Sequence, residues 1–197
     1  SAASDVYKRQ EGNLFSLLLD LQGSQFDRRA QQVVAVAGAR WSEVLARYQE
    51  LRPELDAQES FNVAVGDMWF RVPSLRIAEG HQRYSGQSTY LYLFEWSSPF
   101  IGAAHALDLM VFGNGLPLPF LAGFTDYDKT AEFMRKAWVA FAASGSPEVA
   151  GQAWPSYGQR KATLSINQSA SLLDQSYRQQ FPMLESVINA DWQAAGL

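Results

Sequence analysis

The sequence predicts an α/β fold in which helices flank a partial sheet. Three observations carry this. Thr89-Tyr90-Leu91-Tyr92-Leu93-Phe94-Glu95-Trp96 is apolar almost throughout and alternates poorly. That is the pattern of a strand buried on both faces, as in a parallel sheet covered by helices. A second, shorter strand is predicted at 162–166, where apolar and polar residues alternate. Around these strands lie apolar stripes at helical spacing. Phe61, Val65, Met68, Trp69 and Val72 form one, and Phe133, Met134, Ala137, Trp138 and Phe141 another.

The size and composition fit such a fold. The chain has 197 residues, 47% of them hydrophobic, enough for one large domain or two small ones. Net charge is −4 with no basic run, which argues against nucleic acid and anionic membrane surfaces as partners. There is no cysteine, so disulfides, thiolate metal sites and cysteine nucleophiles are excluded. A cysteine-free chain fits a reducing, cytoplasmic setting, although a secreted or periplasmic one stays open. The apolar runs fall short of the ~18 residues of a membrane-spanning helix.

In chain order, residues 1–10 have neither a strand nor a helical pattern. They resemble translated sequencing-adapter read-through, and are read as a non-native tail before a folded portion at 11–197. A helix is predicted at 26–37. Another follows at 41–51, with Ser42 as cap, Trp41, Val44, Leu45 and Tyr48 on one face, and Pro53 as its stop. The spacing then predicts a long helix over 59–83, kinked or broken at Pro73. Gly86 marks a turn before the first strand. Residues 106–113 suit a short helix or an apolar turn, and 114–123 a packed loop. A helix at 129–143 is expected to be capped by Asp126 or Asp128 and to stop at Gly145. A last helix spans 181–192, with Pro182 in its first turn.

The residues that bear chemistry are few. There are two histidines. His81 lies in a polar stretch late in a helix and is expected at the surface. His105 ends the loop that follows the first strand, where a sheet presents a catalytic base. Gly102, Ala103, Ala104 and Ala106 around it let other segments approach closely. On this spacing alone a structural role for His105 stays open. Two distant histidines without cysteine do not make a metal site. Asp126-Tyr127-Asp128 lacks the rest of a calcium loop, and no glycine-rich phosphate cradle occurs. The nucleophile elbow G-x-S-x-G is absent, because no two glycines lie four residues apart. Ser88 is the nearest imitation. It is rejected because it precedes a strand instead of following one.

Several segments together resemble the C-terminal portion of a type-B carboxylesterase. That is the carboxylesterase/cholinesterase branch of the α/β-hydrolase fold, which includes para-nitrobenzyl-esterase-like bacterial enzymes. Gly102-Ala103-Ala104-His105-Ala106-Leu107-Asp108-Leu109, then Val111-Phe112-Gly113, resembles the stretch that carries the triad histidine. Trp138 to Pro147 resembles the tryptophan helix ending in Gly-x-Pro, and Trp154-Pro155-Ser156-Tyr157 the motif after it. Asp67, Phe70, Pro73 and Ala78 match a helix before the penultimate strand. Glu11-Gly12-Asn13-Leu14-Phe15 resembles the motif holding the triad acid. Ala106 and Asp108 depart from the family, which commonly has glycine and glutamate there.

The resemblance implies ester hydrolysis by a Ser-His-Glu triad, with His105 as base and Glu11 as acid. In these hydrolases the serine precedes the acid in the chain. It is therefore expected upstream of Glu11, with the N-terminal half of the fold and the oxyanion hole, and residues 1–197 alone should be inactive. The family has a buried strand before the acid, whereas residues 1–10 are mostly polar. No cofactor is implied, and the partner is a small-molecule carboxylic ester. Trp96, Phe100 and Phe112 are candidates for its apolar pocket only by their nearness to His105 in the sequence, and each fits a core position better. The alternative is a non-catalytic, cholinesterase-like adhesion module.

Overall fold

The run predicted to be a doubly buried strand is one. All six residues of Thr89–Phe94 are buried, and parallel strands flank the segment on both sides. The structure, a computed structural model, describes residues 3–8, 39–97, 107–108, 127–158, 160–173 and 178–194. The helix predicted at 26–37 and the loop predicted at 114–123 lie outside the described residues.

The chain divides into two compact units. One comprises Ser1–Arg9 and Ser74–Asp174, and its described residues form a four-stranded sheet. Its strands are β1 (Ala3–Lys8), β2 (Thr89–Phe94), β3 (Thr163–Ile166) and β4 (Ala170–Leu172), side by side in that order. The first three are parallel, and β4 returns antiparallel to β3. Two features differ from expectation. Ala3–Lys8 lacks a strand pattern, yet it pairs with all six residues of β2. Strand formation depends on the ladder offered by a neighbour more than on local propensity. The β3–β4 hairpin was not foreseen either. The Asn167 side chain accepts from the Ser169 backbone N–H at 2.8 Å, an Asx-type turn that folds the chain back.

Two predicted helical stretches follow their patterns, the first of them divided between the two units at Pro73 and Ser74. The polypeptide is helical from Ala57 to Ser85, in three successive pieces: α2 (Ala57–Gly66), a π-helical turn (Asp67–Arg71) and α3 (Val72–Ser85). Asp56 and Glu59 close a capping box at its start. Pro73 does not end the helix. The π turn comes just before it, with the Val72 N–H bonding back five residues to Asp67 O. The ladder is thus already widened where the proline ring would crowd it. Gly86, at φ +65°, turns the chain out of α3 into β2. Between β2 and β3 runs α4 (Asp128–Ser144), which buries Thr130, Ala131, Met134 and Ala137. Asp128 does not cap it, and Asp126 lies outside the described residues. Tyr127 holds the cap position without a side-chain bond. Asp128 is instead in the first turn, where its charge suits the helix dipole. Gly145, at φ 76°, is the predicted left-handed stop.

The second unit comprises Gln10–Pro73 and Gln175–Leu197. Here α1 (Ala39–Leu51) packs on α2 and on α5 (Phe181–Ala194). Helix α1 begins three residues before Ser42, so Ser42 lies inside its first turn and is no cap. Trp41, Val44 and Tyr48 form the buried face as predicted. The Trp41 ring meets Phe61 edge-on at 5.8 Å. A buried polar node sits in this apolar setting. Asp67, fully buried, accepts from the Tyr48 hydroxyl at 2.6 Å, Gln180 Nε2 at 3.2 Å and Arg71 Nη1 at 3.3 Å. The Arg71 guanidinium lies over the Phe181 ring at 5.3 Å.

Candidate active site

The parallel register aligns three strand ends. Lys8 pairs with Phe94, and Phe94 with Ile166, so β1, β2 and β3 finish together at the carboxyl edge of the sheet. Ligands of open α/β sheets bind beyond this edge, because the loops leaving it converge there. In the sequence, Glu11 comes three residues after Lys8, and His105 eleven after Phe94. Glu11 and His105 themselves lie outside the described residues, as do Phe100 and Phe112.

The described part of the edge is tightly tied. As the chain leaves β2, the Glu95 and Trp96 N–H groups both donate to Ile166 O, at 2.8 and 3.1 Å. The Ser165 hydroxyl donates to the Glu95 carboxylate. Thr130 Oγ1 donates to Asn167 O at 2.6 Å, which fixes the start of α4 to the exit of β3. Trp96 is only 2% exposed, and its ring contacts Tyr127 edge-on at 6.2 Å, so it serves as core under the edge. Leu107 and Asp108, just beyond His105 in the chain, are helical and buried, and Tyr92 Oη donates to Asp108 Oδ2 at 3.3 Å. None of Glu95, Ser165 and Thr130 was singled out in the sequence. They belong to no motif, and their polar character gave no sign that they meet at one edge.

The opposite, amino edge is structural. Ser88 is exposed immediately before β2, away from the strand ends that would present a nucleophile. His81 is not the free surface residue expected. It is half-buried, and its Nδ1 shares a hydrogen bond with Thr89 Oγ1 at 2.9 Å. The Trp-Pro-x-Tyr motif docks at this edge as well. The Tyr157 N–H donates to Thr89 O at 2.7 Å, and Tyr157 Oη and Lys161 Nζ both donate to Glu79 Oε1, at 3.2 and 2.6 Å. Among the described residues no three His, Asp or Glu side chains converge as a metal site requires, and no helix is long and apolar enough to cross a membrane.

A partial parallel sheet with helical crossovers, whose strand ends gather at one loop-bearing edge, defines an α/β protein of the hydrolase type. The carboxylesterase family model matches residues 18–183, and the chain belongs to that family. Carboxylesterase 1D of Rattus norvegicus is 32% identical over 124 residues, which are 57% of this chain and 21% of the relative. Para-nitrobenzyl esterase of Bacillus subtilis is 31% identical over 114 residues, covering 54% of this chain and 23% of its own. A carboxylesterase of Geobacillus stearothermophilus superposes with a TM-score of 0.73 at 24% identity, over 92% of this chain and 40% of that one. The chain thus spans about a fifth of the curated relatives' length and 40% of the solved structure's.

Proposed function

We propose that the protein to which this chain belongs hydrolyses carboxylic esters by serine acyl transfer, with His105 as general base and Glu11 as the triad acid. The observation that carries the reading is the carboxylesterase family match over residues 18–183, which takes in the His105 motif. The segments bearing the Glu11 and His105 motifs follow adjacent parallel strands that end at the same edge.

In this mechanism a serine upstream of Glu11 attacks the ester carbonyl, and His105 takes the hydroxyl proton as the new C–O bond forms. The tetrahedral intermediate then collapses. The alcohol leaves with the proton returned from the imidazolium, and an acyl-enzyme remains. Water repeats the sequence, with His105 again as base, and releases the acid. Glu11 stays ionised, holds the imidazole in the required tautomer and stabilises the imidazolium. No step calls on a cofactor.

The test is to assay the full-length gene product against p-nitrophenyl esters of graded acyl length. The expected result is turnover that falls at least about a thousandfold in His105→Ala, from loss of the base and nucleophile activation together. Glu11→Gln should fall as well. Residues 1–197 alone should show none, because the nucleophile and oxyanion donors lie elsewhere. Turnover by 1–197 that His105→Ala abolishes would refute the division of the triad. An inactive full-length protein with the serine replaced would favour an adhesion module.

A further inference from the structure

We propose that Tyr92 and Asp108 are a positioning pair that fixes the chain on the downstream side of His105. The inference rests on the reading of His105 as the general base. It starts from a hydroxyl whose place is fixed. Tyr92 lies in the middle of β2 and is 1% exposed. Trp138 and Trp154 meet its ring edge-on, at 5.3 and 5.9 Å, and Phe133 stacks on Trp154 at 6.3 Å. A ring held by a central strand and an aromatic cage cannot swing without opening the core, so its hydroxyl is a rigid reference point.

That hydroxyl donates to Asp108 Oδ2 at 3.3 Å. Asp108 is 2% exposed, and Leu107 beside it is fully buried. Burying a carboxylate is costly unless it is hydrogen-bonded. A surface loop has no need of such a residue, whereas a loop that must be held has a use for it. Asp108 is three residues from His105, about 11 Å of chain at most. On the upstream side, Glu95 and Trp96 are pinned to Ile166 O. Trp96 and Asp108, described residues on either side of His105 in the chain, are thus each tied to the sheet, and Asp108 is the nearer in sequence. A general base has to be held to within about 0.5 Å of its working position. Tyr92 and Asp108 do not touch the reacting atoms in this account. They act through the placement of His105.

Imidazole NMR of the 197-residue chain with labelled histidine tests this, because the chain contains only His81 and His105. Tyr92→Phe removes one hydroxyl and keeps the ring. Asp108→Leu keeps the size and removes the acceptor. In each, the His105 resonance should move by more than its linewidth or broaden, while that of His81 stays in place. Asp108→Glu keeps an acceptor for Tyr92 and should retain a sharp His105 signal. Coincident His105 signals in the parent chain, Tyr92→Phe and Asp108→Leu overturn the proposal. If Tyr92→Phe does not fold, as judged by circular dichroism, the comparison of Asp108→Glu with Asp108→Leu decides. Equal effects of those two also overturn it. Glu11→Gln separates this inference from the triad reading. A His105 signal that responds to Tyr92→Phe but not to Glu11→Gln removes the acid and leaves the anchor. The reverse pattern removes the anchor alone.

Discussion

Neutralising Asp67 should destabilise the helical unit far more than its single side chain suggests. Asp67 is fully buried and accepts from Tyr48, Gln180 and Arg71, while the Arg71 side chain is itself only 6% exposed. Buried ion pairs are asymmetric: making one gains little, but removing one partner takes a close counter-charge from the other, at about 3–5 kcal/mol. Asp67→Asn preserves volume, so no cavity term adds to this. It also keeps a carbonyl oxygen for the Tyr48 hydroxyl, which places the expected loss near the lower bound, about 3 kcal/mol. For a chain of this size that is a fall in Tm of roughly 6–12 °C. Tyr48→Phe removes one bond to a charged acceptor and should cost about 1.5 kcal/mol. Urea unfolding followed by circular dichroism gives both values. The double change Asp67→Leu/Arg71→Met removes both charges and should be more stable than Asp67→Leu alone. A loss under about 1 kcal/mol for Asp67→Asn, or strict additivity in the double variant, refutes the reasoning.

Two further outcomes follow from local geometry. Gly145 ends α4 at φ 76° with open space around an added Cβ, so Gly145→Ala should cost about 1 kcal/mol from backbone strain alone. Asn tolerates this conformation better, and a stability order other than Gly, Asn, Ala in thermal melts would contradict the cap. On the exposed face of α4, the hydrogen bond from Lys136, followed by its charge, holds the Glu132 carboxyl below the usual range. A depressed carboxylate stabilises above its unfolded pKa and loses that contribution as pH falls through the folded value. Lys136→Gln should therefore raise the Glu132 titration seen by carboxyl NMR, and an unmoved titration would disprove the pairing.

The elements legible in the sequence were those whose burial is written in their own residues. Thr89–Phe94 reads as a doubly buried strand because every position is apolar or β-prone, and Gly145 reads as a stop because few other residues fit its backbone. Elements that depend on partners were not legible. Ala3–Lys8 becomes a strand by pairing with β2, and β4 by folding back through Asn167. The π turn at Asp67 is set by a tertiary node, since Tyr48 and Gln180 come from distant parts of the chain. Cap rules misplaced Ser42 and Asp128 by a few residues, where local preferences compete with packing. For the proposed site, His105 and Glu11 come from the family resemblance alone, and both lie outside the described residues. The sequence could not supply Tyr92, Glu95 or Ser165, whose roles exist only once the strands are aligned.

The central claim is that His105 serves a serine lying upstream of Glu11. The direct measurement is to label the full-length protein with a fluorophosphonate and map the adduct by mass spectrometry. The account predicts one modified serine upstream of Glu11, with labelling that collapses in His105→Ala. An adduct on any serine within residues 1–197, or labelling indifferent to His105→Ala, would contradict it.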